Sequence, residues 1–161
     1  MATFPASLIT PESVLLEEEV QAVFLRTDGG DASFMPGYTP LIGAIMPGAV
    51  RFQREDGTEE RAAVHGGFVQ VDGDHVTVLA PIAERSEDID VERARRALDA
   101  ATELVTGLAG ARSGTGPGGD GAEEAQAERA LEDAEAARRR AEVRLEVAGV
   151  VDARGPDRLR T

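Results

Sequence analysis

Residues 34–48 read FMPGYTPLIGAIMPG, and no single element accommodates them. Three prolines (Pro36, Pro40, Pro47) and three glycines (Gly37, Gly43, Gly48) rule out one helix. The missing proline N–H rules out one uninterrupted central strand. The pattern predicts an apolar loop over 35–40, a short buried strand over 41–46, and a turn at Pro47-Gly48 that feeds the next strand. Irregular backbone this apolar must lie against something, because its polar groups need partners once water is excluded. The stretch therefore either plugs a β core or presents a docking face.

On the C-terminal side the β signal is clearest. Residues 49–55 alternate Val50 and Phe52 with Arg51 and Gln53. Asp56-Gly57 follows, a dipeptide favoured in type I′ hairpin turns, and 58–64 returns. Gly66-Gly67 bends the chain, and 68–71 and 75–79 form a second hairpin around Asp72-Gly73-Asp74. These strands read as one antiparallel meander. On the N-terminal side, 6–10 and 14–16 are short strands around a Thr10-Pro11-Glu12-Ser13 turn. Residues 20–26 form a strand apolar on both faces, and 27–31 form a turn. Short strands from residue 4 to 80 imply a β-sandwich of roughly eight to ten strands.

Beyond Ala80 the period changes, with 81–88 as a link. Ala94, Ala97, Leu98, Ala101, Leu104, Val105 and Leu108 fall at three- and four-residue steps and define one apolar helix stripe. Residues 110–122 read as a Gly-rich linker, and a second helix runs over about 123–148. Its stripe is Ala127, Ala130, Leu131, Ala134, Ala137, Ala141 and Leu145. Each Ala in place of Leu forgoes roughly 2 kcal/mol, at ~0.8 kcal/mol per buried CH₂. The second helix must then lean on intrinsic propensity and on pairs such as Glu135–Arg139 and Arg138–Glu142. The organisation expected is a sandwich over 1–86, a helical hairpin over 87–148 able to leave it, and a mobile tail over 149–161.

Charge and composition narrow the function. Among 161 residues the formal net charge is −13, a poor match to nucleic acid or anionic lipid. All 17 basic residues are Arg, which excludes lysine Schiff-base chemistry and a Walker A lysine. Without cysteine there is no disulfide framework or thiol nucleophile. The opening MATFPASLITPES lacks a basic n-region and a continuous apolar segment, so it is not expected to be a signal peptide. No apolar run suffices to span a bilayer, so membrane association is expected only through a partner.

His65-Gly66-Gly67 lacks any G-x-S-x-G companion, and the Asp-rich turns lack EF-hand spacing. The two histidines, ten residues apart, have no carboxylate pattern between them that would make a metal site. No nucleophile–base pair is visible, so an enzyme is not expected. Two features remain. Ile89-Asp90-Val91-Glu92-Arg93-Ala94 opens the first helix, where Asp90 suits an N-cap and Ile89 a staple onto Ala94. A helix start with an arginine one turn in also suits phosphate oxygens. Arg138, Arg139, Arg140 and Arg144 form the densest positive patch, either a solvated face or a docking surface for acidic segments of a partner.

Taken in order, these residues resemble the epsilon subunit of the bacterial F-type ATP synthase. Asp28-Gly29 and then Phe34-Met35-Pro36-Gly37-Tyr38-Thr39-Pro40-Leu41 are similar to that family's D-G-x-F-G-I-L-P-G-H-x-P-L signature. Thr10-Pro11-Glu12, Pro47-Gly48-Ala49-Val50-Arg51, Gly66-Gly67-Phe68-Val69, Val76-Thr77-Val78-Leu79-Ala80 and Ala83-Glu84 stand in family order, over residues 6–109. Tyr38 stands where His is usual, Asp31-Ala32-Ser33 replaces a tighter Gly-rich approach, and the linker and second helix are longer than usual.

The resemblance implies a non-catalytic rotor subunit on the cytoplasmic side of the cell membrane. It would couple proton flow to ATP synthesis, requiring no cofactor. Its sandwich would bind the gamma subunit and the c-ring, with Met35, Pro36, Gly37, Tyr38, Pro40 and Leu41 toward the c-ring. Its hairpin would extend along gamma toward the alpha and beta subunits and oppose ATP hydrolysis. In members that bind ATP as a regulatory ligand, the I-D-x-x-R-A motif holds the nucleotide. That motif matches Ile89, Asp90, Arg93 and Ala94, with Glu84 at the corresponding upstream place. The competing reading is a free-standing β-sandwich binding module with a helical appendage.

Overall fold

The computed structural model describes residues 2–114 and 121–149, without the side chains of 112–114. Ten strands precede two helices: β1 (Phe4–Ile9), β2 (Val14–Val20), β3 (Ala22–Thr27), β4 (Gly30–Phe34), β5 (Leu41–Ile45), β6 (Gly48–Gln53), β7 (Glu59–Val64), β8 (Gly67–Val71), β9 (Val76–Leu79) and β10 (Ala83–Arg85), then α1 (Val91–Gly114) and α2 (Gly121–Val147). The pairing path runs β10-β7-β6-β3-β5-β8-β9-β1-β2, with β4 beside β3. Its weakest link is β3 to β5, joined by the single pair Thr27↔Ile45. That corner divides the path into two five-stranded layers. Leu8, Val20, Val23, Phe34, Val50, Phe52, Val64, Val69, Val76 and Val78 pack between the layers as the core.

The chain changes layer at sites that hydrophobic alternation does not mark. Residues 20–26, expected as one strand, break at Gln21, whose N–H donates to the Gln53 carbonyl at 2.7 Å. The expected meander is likewise two hairpins in two layers. The strands of β6–β7 and of β8–β9 pair with each other, but β7 pairs onward with β10 and β8 with β5. Gly66 and Gly67 make that crossing with φ of 92° and 126°. A Cβ on Gly67 would lie 2.1 Å from the Leu79 carbonyl oxygen, so only glycine lets β8 leave against β9.

The first hairpin also departs from type I′. Gly57 has φ of 82° and Asp56 does not share a positive φ. Gly57 N–H donates to the Arg54 carbonyl and Arg54 N–H to the Thr58 carbonyl, giving a three-residue loop with glycine in the left-handed position. Asp56 prefers a side-chain role, accepting from the Thr58 N–H at 2.9 Å.

The opening stretch splits at Pro40. Residues 35–40 are exposed, and Gly37 has φ of 77° in the Pro36-Gly37 turn. Leu41–Ile45 is a strand, but not a buried one: Ile45 is buried, Leu41 half-buried, and Ile42, Ala44 and Met46 face outward. A second strand absent from the sequence reading is β10, three residues in the expected 81–88 link that pair with β7. Three residues are too few to show alternation.

The connection from Gly114 to Gly121 can reach about 25 Å, short of the roughly 36 Å length of α1 with its 24 residues. The packed helices therefore run antiparallel, as the expected hairpin does. Both extend into the stretch read as a Gly-rich linker, to Gly114 and from Gly121, since an established helix adds glycine at only about 1 kcal/mol each. Ala94, Ala101, Ala134, Ala141 and Leu145 are buried, while Ala97, Ala130 and Leu104 are exposed. Gly149, with φ of 76°, ends α2 by donating to the Glu146 carbonyl at 3.0 Å. The tail read as mobile lies, from residue 150 on, outside the described residues.

Replacing Gly67 with Ala is expected to cost more than 2 kcal/mol, from positive φ plus the collision with Leu79. Gly30→Ala, at φ of 118° with nothing within 4 Å, should cost about 1 kcal/mol. Urea unfolding of the two variants distinguishes close approach from backbone strain; equal losses would discard the close-approach account.

Candidate functional site

The two outer faces of the sandwich differ. On the β6–β7 layer, Ala49 and Ala63 are directly opposite and make a flat floor of two small side chains, with Glu84 on β10 opposite Ala63 at its edge. The C-terminal half of α2 lies on it. Val143 and Val147 pack on Ala63, with Ala49 and Ile89 against the same cluster. The sequence stripe omitted both valines because they face the sandwich rather than α1. A signal existed: Val143, Leu145 and Val147 make the last turns of α2 apolar on more than one side.

Polar contacts border this apolar patch. The Arg144 guanidinium donates through Nε and Nη2 to both carboxylate oxygens of Glu84, the second at 3.3 Å. Thus two residues expected in separate sites, Glu84 beside the helix start and Arg144 in the basic cluster, form one fork. Of the rest of that cluster, Arg138 pairs with Glu142 at 3.5 Å and Arg139 is exposed. Glu135–Arg139 is not an ion pair. Burial pushes the Glu146 carboxyl up, against the pull of Arg26, Arg61 and Arg51 beneath it. Arg51 itself lies over the Phe24 ring, 4.6 Å from its centroid.

The helix start is arranged as an N-cap. Arg93 N–H donates to Asp90 Oδ1 at 3.0 Å, and Ala94 N–H to the Asp90 carbonyl at 2.9 Å. Ala94 is buried, and the exposed Arg93 side chain has no ion pair among the described residues. Ile89 is half-buried against the patch under α2. Ile89 and Asp90 thus lead into the first helix of the docked hairpin, Glu84 anchors its second, and Arg93 is exposed one turn into the first.

His65, at the end of β7, is the interface residue that sequence patterning missed. Its N–H donates to the Ile82 carbonyl at 3.1 Å, while both ring nitrogens are buried without a partner among the described residues. Burial, helped by Arg144 and Arg140 and opposed by Glu84, pushes its pKa down to about 4. His75, by contrast, meets the Ser7 hydroxyl at 3.1 Å.

The other outer face is bare. Across β5, β8, β9, β1 and β2 the directly opposed residues Ala44, Phe68, Leu79, Ile9 and Val14 form one row. Phe68 is 57% exposed, Leu79 41% and Val14 55%, and Ile42 beside them reaches 74%. An apolar ridge of this length across a folded sheet marks a contact surface. At the end of the sandwich, the exposed Tyr38 stands edge-on to the buried Phe34, with ring centroids 5.1 Å apart, and ties the loop holding Met35, Pro36 and Gly37 to the core. Among the described residues no cluster of His, Asp and Glu is placed to hold a metal, and no helix is long and apolar enough to cross a membrane.

Arg144→Ala is expected to weaken docking by about 1 kcal/mol, not the 3–5 kcal/mol of a dry ion pair, because Arg144 and Glu84 keep 26% and 36% of their side chains exposed. Protease cleavage within α2 should accelerate roughly fivefold; a rate equal to wild type would assign docking to Val143 and Val147 alone.

Comparison with known proteins agrees with this layout. Residues 3–86 match the family model for the ATP synthase delta/epsilon chain, β-sandwich domain. The ATP synthase epsilon chain of Bacillus subtilis (strain 168) is 40% identical over 105 residues, covering 65% of this chain and 79% of that protein. The epsilon chain of Desulforudis audaxviator (strain MP104C) is 43% identical over 104 residues, covering 65% and 75%. In a cryo-EM structure of the Euglena gracilis mitochondrial ATP synthase, comprising OSCP, F1 and the c-ring, one chain superposes with a TM-score of 0.59 at 22% identity, covering 93% of this chain and 79% of that one.

Proposed function

The chain belongs to the ATP synthase delta/epsilon chain family, and from that premise we propose that it is the epsilon-type rotor subunit, non-catalytic and held at the membrane by its partners. The observation that carries this reading is the asymmetry of the sandwich: one outer face bears the hairpin, and the opposite one bears the bare ridge from Ile42 and Phe68 to Val14. The ridge is the gamma-docking face. It offers aromatic and aliphatic anchors without buried charge, as the centre of a stable interface requires. The exposed loop with Met35, Pro36, Gly37, Tyr38, Pro40 and Leu41, pinned through Phe34, is the contact for the c-ring.

In this reading the hairpin is the regulatory part. Docked, it is compact. Released, it presents Arg138, Arg139, Arg140 and Arg144 to acidic segments of the alpha and beta subunits and opposes ATP hydrolysis. ATP is the proposed regulatory ligand of the docked form, with Arg93, exposed and without an ion pair among the described residues, as the phosphate contact. Asp90 and Glu84 shape that position while already engaged by the Arg93 N–H and by Arg144.

Phe68→Glu should weaken binding to isolated gamma at least tenfold, about 1.4 kcal/mol, while circular dichroism stays unchanged. Full affinity in that variant would move gamma to another face. Millimolar ATP should slow proteolysis of α2 in the wild type and not in Arg93→Ala. Equal protection in both, or none in either, would remove Arg93 from nucleotide binding and leave Asp90 as an N-cap only.

A further inference from the structure

His65 has no evident structural purpose. An imidazole with both nitrogens buried and neither satisfied among the described residues carries a desolvation cost that a valine there would avoid. It lies beside the joint that fastens α2 to the sandwich. Arg144 and Arg140, one turn apart on α2, and Glu84 on β10 lie close enough to act on its charge. Of these three, Glu84 alone could compensate an imidazolium, and its two oxygens are engaged by Arg144. A proton on His65 would therefore meet the repulsion of two guanidinium groups at ring nitrogens that water does not reach.

We infer that His65 is an acid-sensitive latch: α2 docks on the sandwich only over the neutral imidazole, and protonation of His65 releases the hairpin. The direction follows from linkage. Undocked, His65 returns toward its ordinary value of 6.5; docked, it is held near 4. Docking is at full strength above 6.5 and weakens by about tenfold per pH unit as pH falls from 6.5 toward 4. Glu146 acts in the opposite sense. Its carboxyl, on α2 itself, is raised by burial in the docked state, so protonation there favours docking.

The latch is a property of the docked hairpin and can be read on the isolated full chain, where its failure leaves gamma binding through the ridge untouched. The protein has no cysteine. Ala63→Cys places a thiol fully buried beneath Val143 and Val147, and Gln70→Cys provides an exposed reference. The ratio of their labelling rates reports how often α2 lifts. Between pH 7.5 and 5 that ratio should rise roughly 30-fold, and in His65→Gln it should stay flat or fall as Glu146 takes up its proton. A ratio unchanged in the His65-containing chain, or rising equally in His65→Gln, overturns the latch. Should His65→Gln fail to fold, the imidazole proton resonances of the two histidines decide: His65 titrating well below 6.5 sustains the proposal, and titration at or above 6.5 ends it.

Discussion

The arrangement depends on one close approach of backbone to backbone, where Gly67 lies against the carbonyl of Leu79. With Gly66 it carries the chain from the end of β7 into the opposite layer, so that two adjacent hairpins face each other instead of lying side by side. Much is set by that crossing. It leaves the β7 edge free for β10, which brings Glu84 beside Ala63. It puts Phe68 on the outside of the second layer in line with Leu79 and Ile9. It strands His65 at the layer boundary, under α2. One glycine without room for a Cβ therefore positions the hairpin's anchor, the exposed ridge and the buried imidazole together.

Local chemistry made the elements legible in sequence and hid their assembly. Val50, Phe52, Val69, Val71, Val76 and Val78 alternate as half-buried strands must, and all six are buried. The ordered glycine and proline pieces from Thr10 to Glu84 were distinctive enough to indicate the family. What alternation cannot encode is the partner of a strand. The β6–β7 and β8–β9 hairpins look the same in sequence whether or not β7 pairs with β8, and β1 lies parallel to β9 across a separation of some seventy residues. Leu41–Ile45 looked like core because it contains no charge, yet Ile42 and Ala44 are outward. An apolar outer face has the pattern of a buried strand.

The site was legible to a similar degree. The Asp90 cap follows from an Asp placed before a helical period, and the basic cluster follows from composition. Their connection through Glu84–Arg144 does not, because it joins a three-residue strand to a helix sixty residues later. Val143 and Val147 were invisible to a search for one stripe, since α2 has two faces to cover, a mostly alanine face toward α1 and a valine face toward the sandwich. His65 was visible only as a residue beside two glycines. Its significance lies in what fails to reach its ring.

A docked helix that must later leave needs attachments whose sum is modest, and those under α2 have that character. Two valines supply roughly 1.5–3 kcal/mol each of apolar burial, and the Arg144–Glu84 fork, still partly wet, adds about 1 kcal/mol. Set against them are the unsatisfied ring nitrogens of His65 and the carboxylate of Glu146, buried wholly or in part while the hairpin is docked. Had position 65 been valine and position 146 leucine, the same contact would be tighter, and neither position would respond to pH. The polar groups under α2 cost binding energy, and that cost keeps release within the few kcal/mol a partner, a nucleotide or a proton can supply. On the opposite face the apolar row carries no such groups. Its ridge of Phe68, Leu79, Ile9 and Val14 is uncharged throughout, suited to a contact that is made once and kept while the hairpin moves.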